Sequence, residues 1–188
     1  MKSLTILKML TLVTFFIVAC QPNKKQEDST EIAKEKNEEV FEDKDDENDA
    51  DFIVNAIASN FAEIKLAQLA LNKSTDVMVT NAAKMLETDH NKVLQDLQAY
   101  ATAKGITVPT SETEEAMKDL NDLAQEDPKD FDKKWCDKLE GTHKKSIRKF
   151  ESRMDKTEDV ELKNLISATL PGLRSHLDML NKEHDRLK

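Results

Sequence analysis

Between residues 51 and 188, apolar side chains recur every three or four positions, the spacing that lines one face of an α-helix. Ile53, Ala56, Ile57, Asn60, Ile64, Ala67 and Leu71 make the first stripe, which predicts a helix from about Asp51, a plausible N-cap, to Leu71. Ser74, Thr75 and Asp76 can cap a second helix that ends near Lys104, just before Gly105. A third is expected from about Pro128 to Met154, through Phe131, Trp135, Leu139, Ile147 and Phe150. Pro128 suits its first turn. The fourth runs from about Asp159 to Arg186 through Leu162, Leu165, Thr169, Leu173, Leu177 and Leu180, and Pro171 inside it should remove one backbone bond and kink it.

Short breaks separate the first helix from the second and the third from the fourth, so each pair should be antiparallel. About 25 residues lie between the pairs, including Ser111 and Glu114 in capping-box spacing. A connection this long spans the length of a bundle. The expected fold is therefore all-α, a four-helix bundle with one long crossover between helices two and three, the connectivity of ferritin-like bundles. Only three glycines in the chain, Gly105, Gly141 and Gly172, agree with that.

The front of the chain reads differently. "MKSLTILKMLTLVTFFIVAC" carries Lys2 and Lys8 and then an apolar run too short to span a bilayer as a helix, but of the length of a secretory signal. Ile17-Val18-Ala19-Cys20 resembles a bacterial lipobox, with residues 1–19 as signal peptide and Cys20 as the lipidated residue. Residues 21–50 hold 12 Asp or Glu against 5 Lys, with few and unpatterned apolar positions. Such a segment is expected to be a disordered acidic tether, so residues 20–50 link the lipid to a domain at 51–188. "KKQED" after Cys20 resembles acidic signals that send some lipoproteins to the cell surface. From these features the protein is expected in a bacterial cell envelope, lipid-anchored at the outer membrane and facing the periplasm or the cell surface.

Composition then removes alternatives. The net charge is −9, and Lys and Arg are scattered among a majority of acids, so no basic stripe for nucleic acid is present. Cys136 is the one thiol left after Cys20, which excludes an internal disulfide and a CxxC site and makes a small core residue of it. It lies one heptad before His143, about 10 Å along a helix axis, out of reach as a nucleophile for that base. Phosphate loops and Gly-rich turns are absent, and nothing marks an enzyme.

Three of the four histidines interrupt apolar stripes. His90 stands among Val79, Ala83, Leu86, Leu94, Leu97 and Ala101; His143 among Cys136, Leu139, Ile147, Phe150 and Met154; His176 between Leu173 and Leu180. Each comes from a different helix, while His184 falls among polar neighbours. Glu87 precedes His90 by three and Glu140 precedes His143 by three, the Glu-x-x-His spacing that carboxylate-bridged bundle sites use twice. The first helix adds Glu63, about 60° off its stripe centre. Glu63, Glu87, His90, Glu140, His143 and His176 are thus the candidate ligands, a nitrogen-rich set suited to Zn²⁺, Cu²⁺ or a single iron. A hydrogen-bonded structural network of the same groups ranks ahead of a metal site, because buried imidazoles need partners in either case.

"DFIVNAIASNFAEIKLAQLAL", "AAKMLETDHNKVLQDLQAYATAKGITVPT", "FDKKWCDKLEGTHKKSIRKFE" and "LISATLPGLRSHLDML" follow one another across residues 51–188. Together they resemble the domain of unknown function 4142 family, most specifically at Glu63, Asp89-His90, the "KGITVPT" turn, His143, and "TLP" followed by His176. The resemblance implies a ferritin-like fold in a secreted or envelope protein. In that family the third-helix histidine usually follows Asp, where this chain has Thr142. Two functions are compatible with all this. One is an envelope-anchored binding or structural module with a protein partner in the envelope; the alternative is a metal-binding or redox ferritin-like protein.

Overall fold

The apolar stripes fold as helices in a computed structural model, which describes residues 28–188; the signal segment and Cys20 lie outside the described residues. Six helices follow in order: α1 Ser29–Glu38, α2 Lys44–Lys73, α3 Val77–Lys104, α4 Glu114–Ala124, α5 Pro128–Lys156 and α6 Val160–Arg186. Helices α2, α3, α5 and α6 are the four expected from the stripes. Asp76 caps α3 by accepting from the Met78 and Val79 N–H groups, and Pro128 opens α5. Gly105 ends α3 at φ 69°, the left-handed conformation that a side chain would oppose. Helix α6 continues through Pro171.

Ion pairs and hydrogen bonds fix the directions. Lys104 at the end of α3 meets Asp159 before α6 at 2.5 Å, and Arg186 at the end of α6 meets Asp76 before α3 at 2.9 Å. Helices α3 and α6 are therefore antiparallel. Trp135 near the start of α5 donates its indole N–H to the Leu66 carbonyl late in α2 at 2.9 Å, while Arg153 near the end of α5 pairs with Asp49 early in α2. Those two are antiparallel as well. The connection from α3 to α5 must then run the length of the bundle, which is the ferritin-like crossover. Helix α4 forms part of it and buries Leu123. Its cap is Thr113, which accepts from Ala116 N–H, whereas Ser111 bonds Ser29; the capping box expected at Ser111 and Glu114 does not form.

The disorder expected for residues 21–50 is corrected over residues 28–50. Helix α1 occupies Ser29–Glu38, and α2 begins at Lys44 instead of near Asp51. Thr30, Ala33 and Asn37 share one narrow face and are buried. Asn37 donates to the Thr107 carbonyl at 2.9 Å and accepts from the Thr107 N–H at 2.8 Å. Asp28 caps α1 and also accepts from the Glu114 N–H at 3.0 Å. Docking thus depends on one alanine and a few backbone bonds to the crossover, while the many carboxylates stay in water. Counting apolar residues misses such a contact.

The core has two apolar regions. One gathers Ile53, Ile57, Leu94, Leu97, Ile147, Ile166 and Leu173; the other gathers Leu66, Leu86, Phe131, Trp135, Leu139 and Leu180. On every bundle helix the boundary between them is polar: Asn60 and Glu63 on α2, His90 on α3, His143 on α5, His176 on α6. All five side chains are buried. Cys136 is buried with the second region as a free thiol, and burial, with Glu183 nearby, pushes it up to about 12. An inert core residue results.

Candidate metal centre

Four helices each send an imidazole or a carboxylate to one level of the bundle. The three imidazole rings form a near-regular triangle, with centroids 5.3 to 5.4 Å apart. Glu63 Oε2 lies 2.7 Å from His90 Nε2 and 3.5 Å from His143 Nε2, and His143 Nε2 lies 3.4 Å from His176 Nδ1. One nitrogen from each ring falls within 4.8 Å of the others. Four donors around one tetrahedral ion at bond lengths of about 2.1 Å would sit about 3.4 Å apart.

The opposite nitrogen of each ring is already engaged. His143 Nδ1 faces the Leu139 carbonyl at 2.9 Å, and His176 Nε2 faces Asp89 Oδ2 at 2.9 Å. His90 Nδ1 faces Asn60 Oδ1 at 2.9 Å, an orientation set because the Asn60 amide donates to the Ala56 carbonyl at 2.8 Å. All three partners are acceptors, so each outward nitrogen carries a proton, and a ring without a second proton turns a bare lone pair inward. Metal-bound histidines show this same outward bond to a carbonyl or carboxylate.

When the rings are neutral, three lone pairs and a carboxylate face a common interior point with no donor among them. Glu63 Oε2 and His90 Nε2 approach to 2.7 Å, a hydrogen bond when His90 Nε2 carries a proton; with that nitrogen bare, both buried atoms are without a partner. Burial works to raise the Glu63 pKa; positive charge on His143 and His90, a hydrogen bond from His90 and the charge of His176 lower it to about 2 while those rings carry protons. Burial keeps His143 and His176 below the usual imidazole range, so both are neutral at pH 7. A proton on His90 would pair with Glu63 yet leave His143 Nε2 and His176 Nδ1 opposed at 3.4 Å. A cation satisfies all four at once.

Of the six candidate ligands, the structure brings together Glu63, His90, His143 and His176. Glu87 and Glu140 are elsewhere, which corrects the two Glu-x-x-His pairs. Glu87 accepts from Gln68 at 2.9 Å on the outside of α2 and α3. Glu140 pairs with Lys144 and with His184 at 2.9 Å, in a partly exposed surface group that also includes Asp137. A residue three before an inward histidine sits about 60° around the helix, enough here to reach the adjacent surface. The supporting acceptors Asn60 and Asp89 were not among the candidates. Asn60 was visible as an amide within an apolar stripe, and Asp89 as the carboxylate beside His90.

A groove of about 850 Å³ opens between α2 and α5 and reaches this level, with Glu63 and His90 among its lining residues. Small side chains, including Ala56, Ser59, Ala62 and Gly141, keep it open.

Taken together, the molecule is an all-α four-helix bundle with a long crossover and a buried histidine–carboxylate layer. The chain belongs to the domain of unknown function family DUF4142, whose model matches residues 25–182. No curated protein and no solved structure matches it. Among the described residues no helix is long and apolar enough to cross a membrane.

Proposed function

We propose that this protein is a lipid-anchored envelope protein whose bundle binds one transition-metal ion through His90 Nε2, His143 Nε2, His176 Nδ1 and Glu63 Oε2. The lipobox at Cys20 supports the anchoring, and three inward lone pairs converging on an ionised carboxylate support the metal. This last observation carries the proposal. A bundle that used the layer only for structure would be expected to close it with donors, since an unmade buried hydrogen bond costs about 1–3 kcal/mol. Three imidazoles and one carboxylate suit Zn²⁺ best and also accommodate Cu²⁺ or Fe²⁺. Such an ion would act there as a Lewis acid or as a structural cross-link between four helices.

The test is metal content and its consequence for stability. The protein purified without a polyhistidine tag is expected to hold close to one ion per chain by mass spectrometry. After chelation, Zn²⁺ at 100 times its Kd should stabilise the fold by about 2.7 kcal/mol, or roughly 5–10 °C in Tm for a chain of this size. His143→Ala should lose both signals. Sub-stoichiometric metal together with no thermal shift for Zn²⁺, Cu²⁺ or Fe²⁺ refutes the proposal.

A further inference from the structure

The groove between α2 and α5 has a feature that the metal centre does not require. Its α5 wall carries Lys145, Arg148, Lys149 and Lys156, and none of the four makes an ion pair or a side-chain hydrogen bond among the described residues. Four other cations of the same helix are paired, Lys134 with Glu126 at 2.5 Å, Lys138 with Asp119, Lys144 with Glu140 and Arg153 with Asp49, whereas Lys129 and Lys133 near its start are, among the described residues, unpaired too. The groove also holds the carboxylates Glu63, Glu115, Asp119 and Asp137, but among the described residues none of them pairs with Lys145, Arg148, Lys149 or Lys156. Burial, with the like charges of Lys145 and Lys34, lowers the Lys149 ammonium from its ordinary value, as uncompensated positive charge does.

Facing the α5 wall, the lining is mixed: Phe52, Ala56 and Ala62 of α2 and Ala116 of α4 are apolar or small, whereas Asn55 and Glu63 of α2 and Glu115 and Asp119 of α4 are polar. Phe52 and Phe150 meet edge-on with ring centroids 4.9 Å apart, and Ala56 and Ala62 lie along α2. The volume is that of a pocket for an organic molecule rather than for a bare oxyanion. The acidic remainder of the chain would repel a polyanion, which argues against nucleic acid.

We infer that the α2–α5 groove binds a small organic anion, with its acidic end at Lys145 and Lys149 and its apolar body against Phe52 and Ala56, directed toward Glu63 and His90. The inference rests on the metal-site proposal only for what lies at the inner end; the groove and its cations stand independently of it.

Calorimetric titration of the metal-free and the zinc-loaded protein with 2-naphthoate, naphthalene-2-carboxamide and inorganic phosphate tests it. 2-Naphthoate should bind both forms, at least tenfold more tightly than the neutral carboxamide or phosphate. Reversing two charges in Lys145→Glu/Lys149→Glu should weaken it by about tenfold or more. Unchanged circular dichroism of that variant confirms that it folds, and Lys145→Ala/Lys149→Ala serves in its place if it does not. No 2-naphthoate binding by either form, equal binding of the carboxamide or phosphate, or an affinity indifferent to the lysines overturns the inference. Lysine-dependent binding by a protein that takes up no Zn²⁺, Cu²⁺ or Fe²⁺ would sink the metal centre and leave the groove standing; metal uptake without 2-naphthoate binding would do the reverse.

Discussion

Two buried polar clusters in this bundle are built on opposite principles. Near one end, Asp49 of α2 receives the Arg153 guanidinium on one carboxylate oxygen and the Thr157 hydroxyl on the other at 2.6 Å. Arg153 also donates to the Asp45 carbonyl at 3.2 Å, and Thr157 Oγ1 accepts from the Asp159 N–H at 3.1 Å. Every acceptor there has a donor, and the single negative charge has its positive partner. In the middle of the bundle, Glu63 and three imidazoles put their acceptors toward one another, and their N–H groups point away. The first cluster is complete as a clasp between α2 and the α5–α6 connection. The second, on the proposed reading, would be completed by a cation, and that contrast is open to experiment.

Conservative amides should therefore act with opposite sign in the two places. Asp49→Asn strips the charge that Arg153 needs, and breaking a buried pair costs about 3–5 kcal/mol, a fall of roughly 10 °C in Tm for a chain of this size. Glu63→Gln supplies an NH₂ group to the inward lone pairs of His90 and His143. The metal-free variant should then be about 1 kcal/mol more stable than the metal-free parent, while its zinc uptake is lost. Thermal melts in chelator, alongside metal analysis, read both effects. Destabilisation of similar size by both amides would mean that the two clusters are alike.

Acid should find the open cluster before the clasp. In the folded protein, His143 and His176 titrate below 6.5 because burial disfavours their charged forms. The unfolded chain then binds more protons just below pH 6.5, and stability falls as pH drops through that region. Glu63 adds a later loss, because its folded value of about 2 lies below the ordinary carboxyl value of 4.5. That contribution is fully present above pH 4.5 and disappears toward pH 2. Melts of the metal-free protein should lose a few degrees between pH 6.5 and 5, and His143→Gln/His176→Gln should flatten that segment. A profile flat from pH 7 to 5 in the parent contradicts the neutral, buried imidazoles.

Much of this was legible in residue spacing, for reasons that also explain what was not. The stripes through Ile53 to Leu71 and Leu162 to Leu180 set helix faces, and three histidines in mid-stripe marked inward polar positions on three helices, though not their common level, because burial follows helical periodicity closely. Asp76, Gly105 and Pro128 act locally, so helix ends were readable too. Helix α1 was not, since it docks through Asn37 onto the Thr107 backbone, a contact between distant segments that leaves no apolar pattern. Glu63 was within reach of the sequence, but whether a residue 60° off a stripe turns inward depends on the neighbouring helix. Glu63 and Glu140 both sit at such edges: α2 has the three imidazoles beside it, whereas Glu140 has Lys144 and His184.

The smallest effects separate the acceptors that hold the ligands from the carboxylates that merely resemble ligands in sequence. Asp89 is partly in water and touches the centre only through His176 Nε2, yet it fixes which ring nitrogen faces inward. Asp89→Ala frees that choice and should weaken zinc binding by about tenfold, the lower end of the range for such supporting partners, with little change in metal-free stability. Glu87→Gln/Glu140→Gln, although it removes both carboxylates of the Glu-x-x-His spacing, should leave zinc affinity within about twofold and Tm within the range of surface changes, about 0.5 kcal/mol. Competition titrations against a chelator of known affinity resolve a tenfold from a twofold change. If the order were reversed, with Glu87 and Glu140 mattering more than Asp89, the ion would have to sit toward the surface of α3 and α5, and the orphaned oxygen of Glu63 would need another explanation.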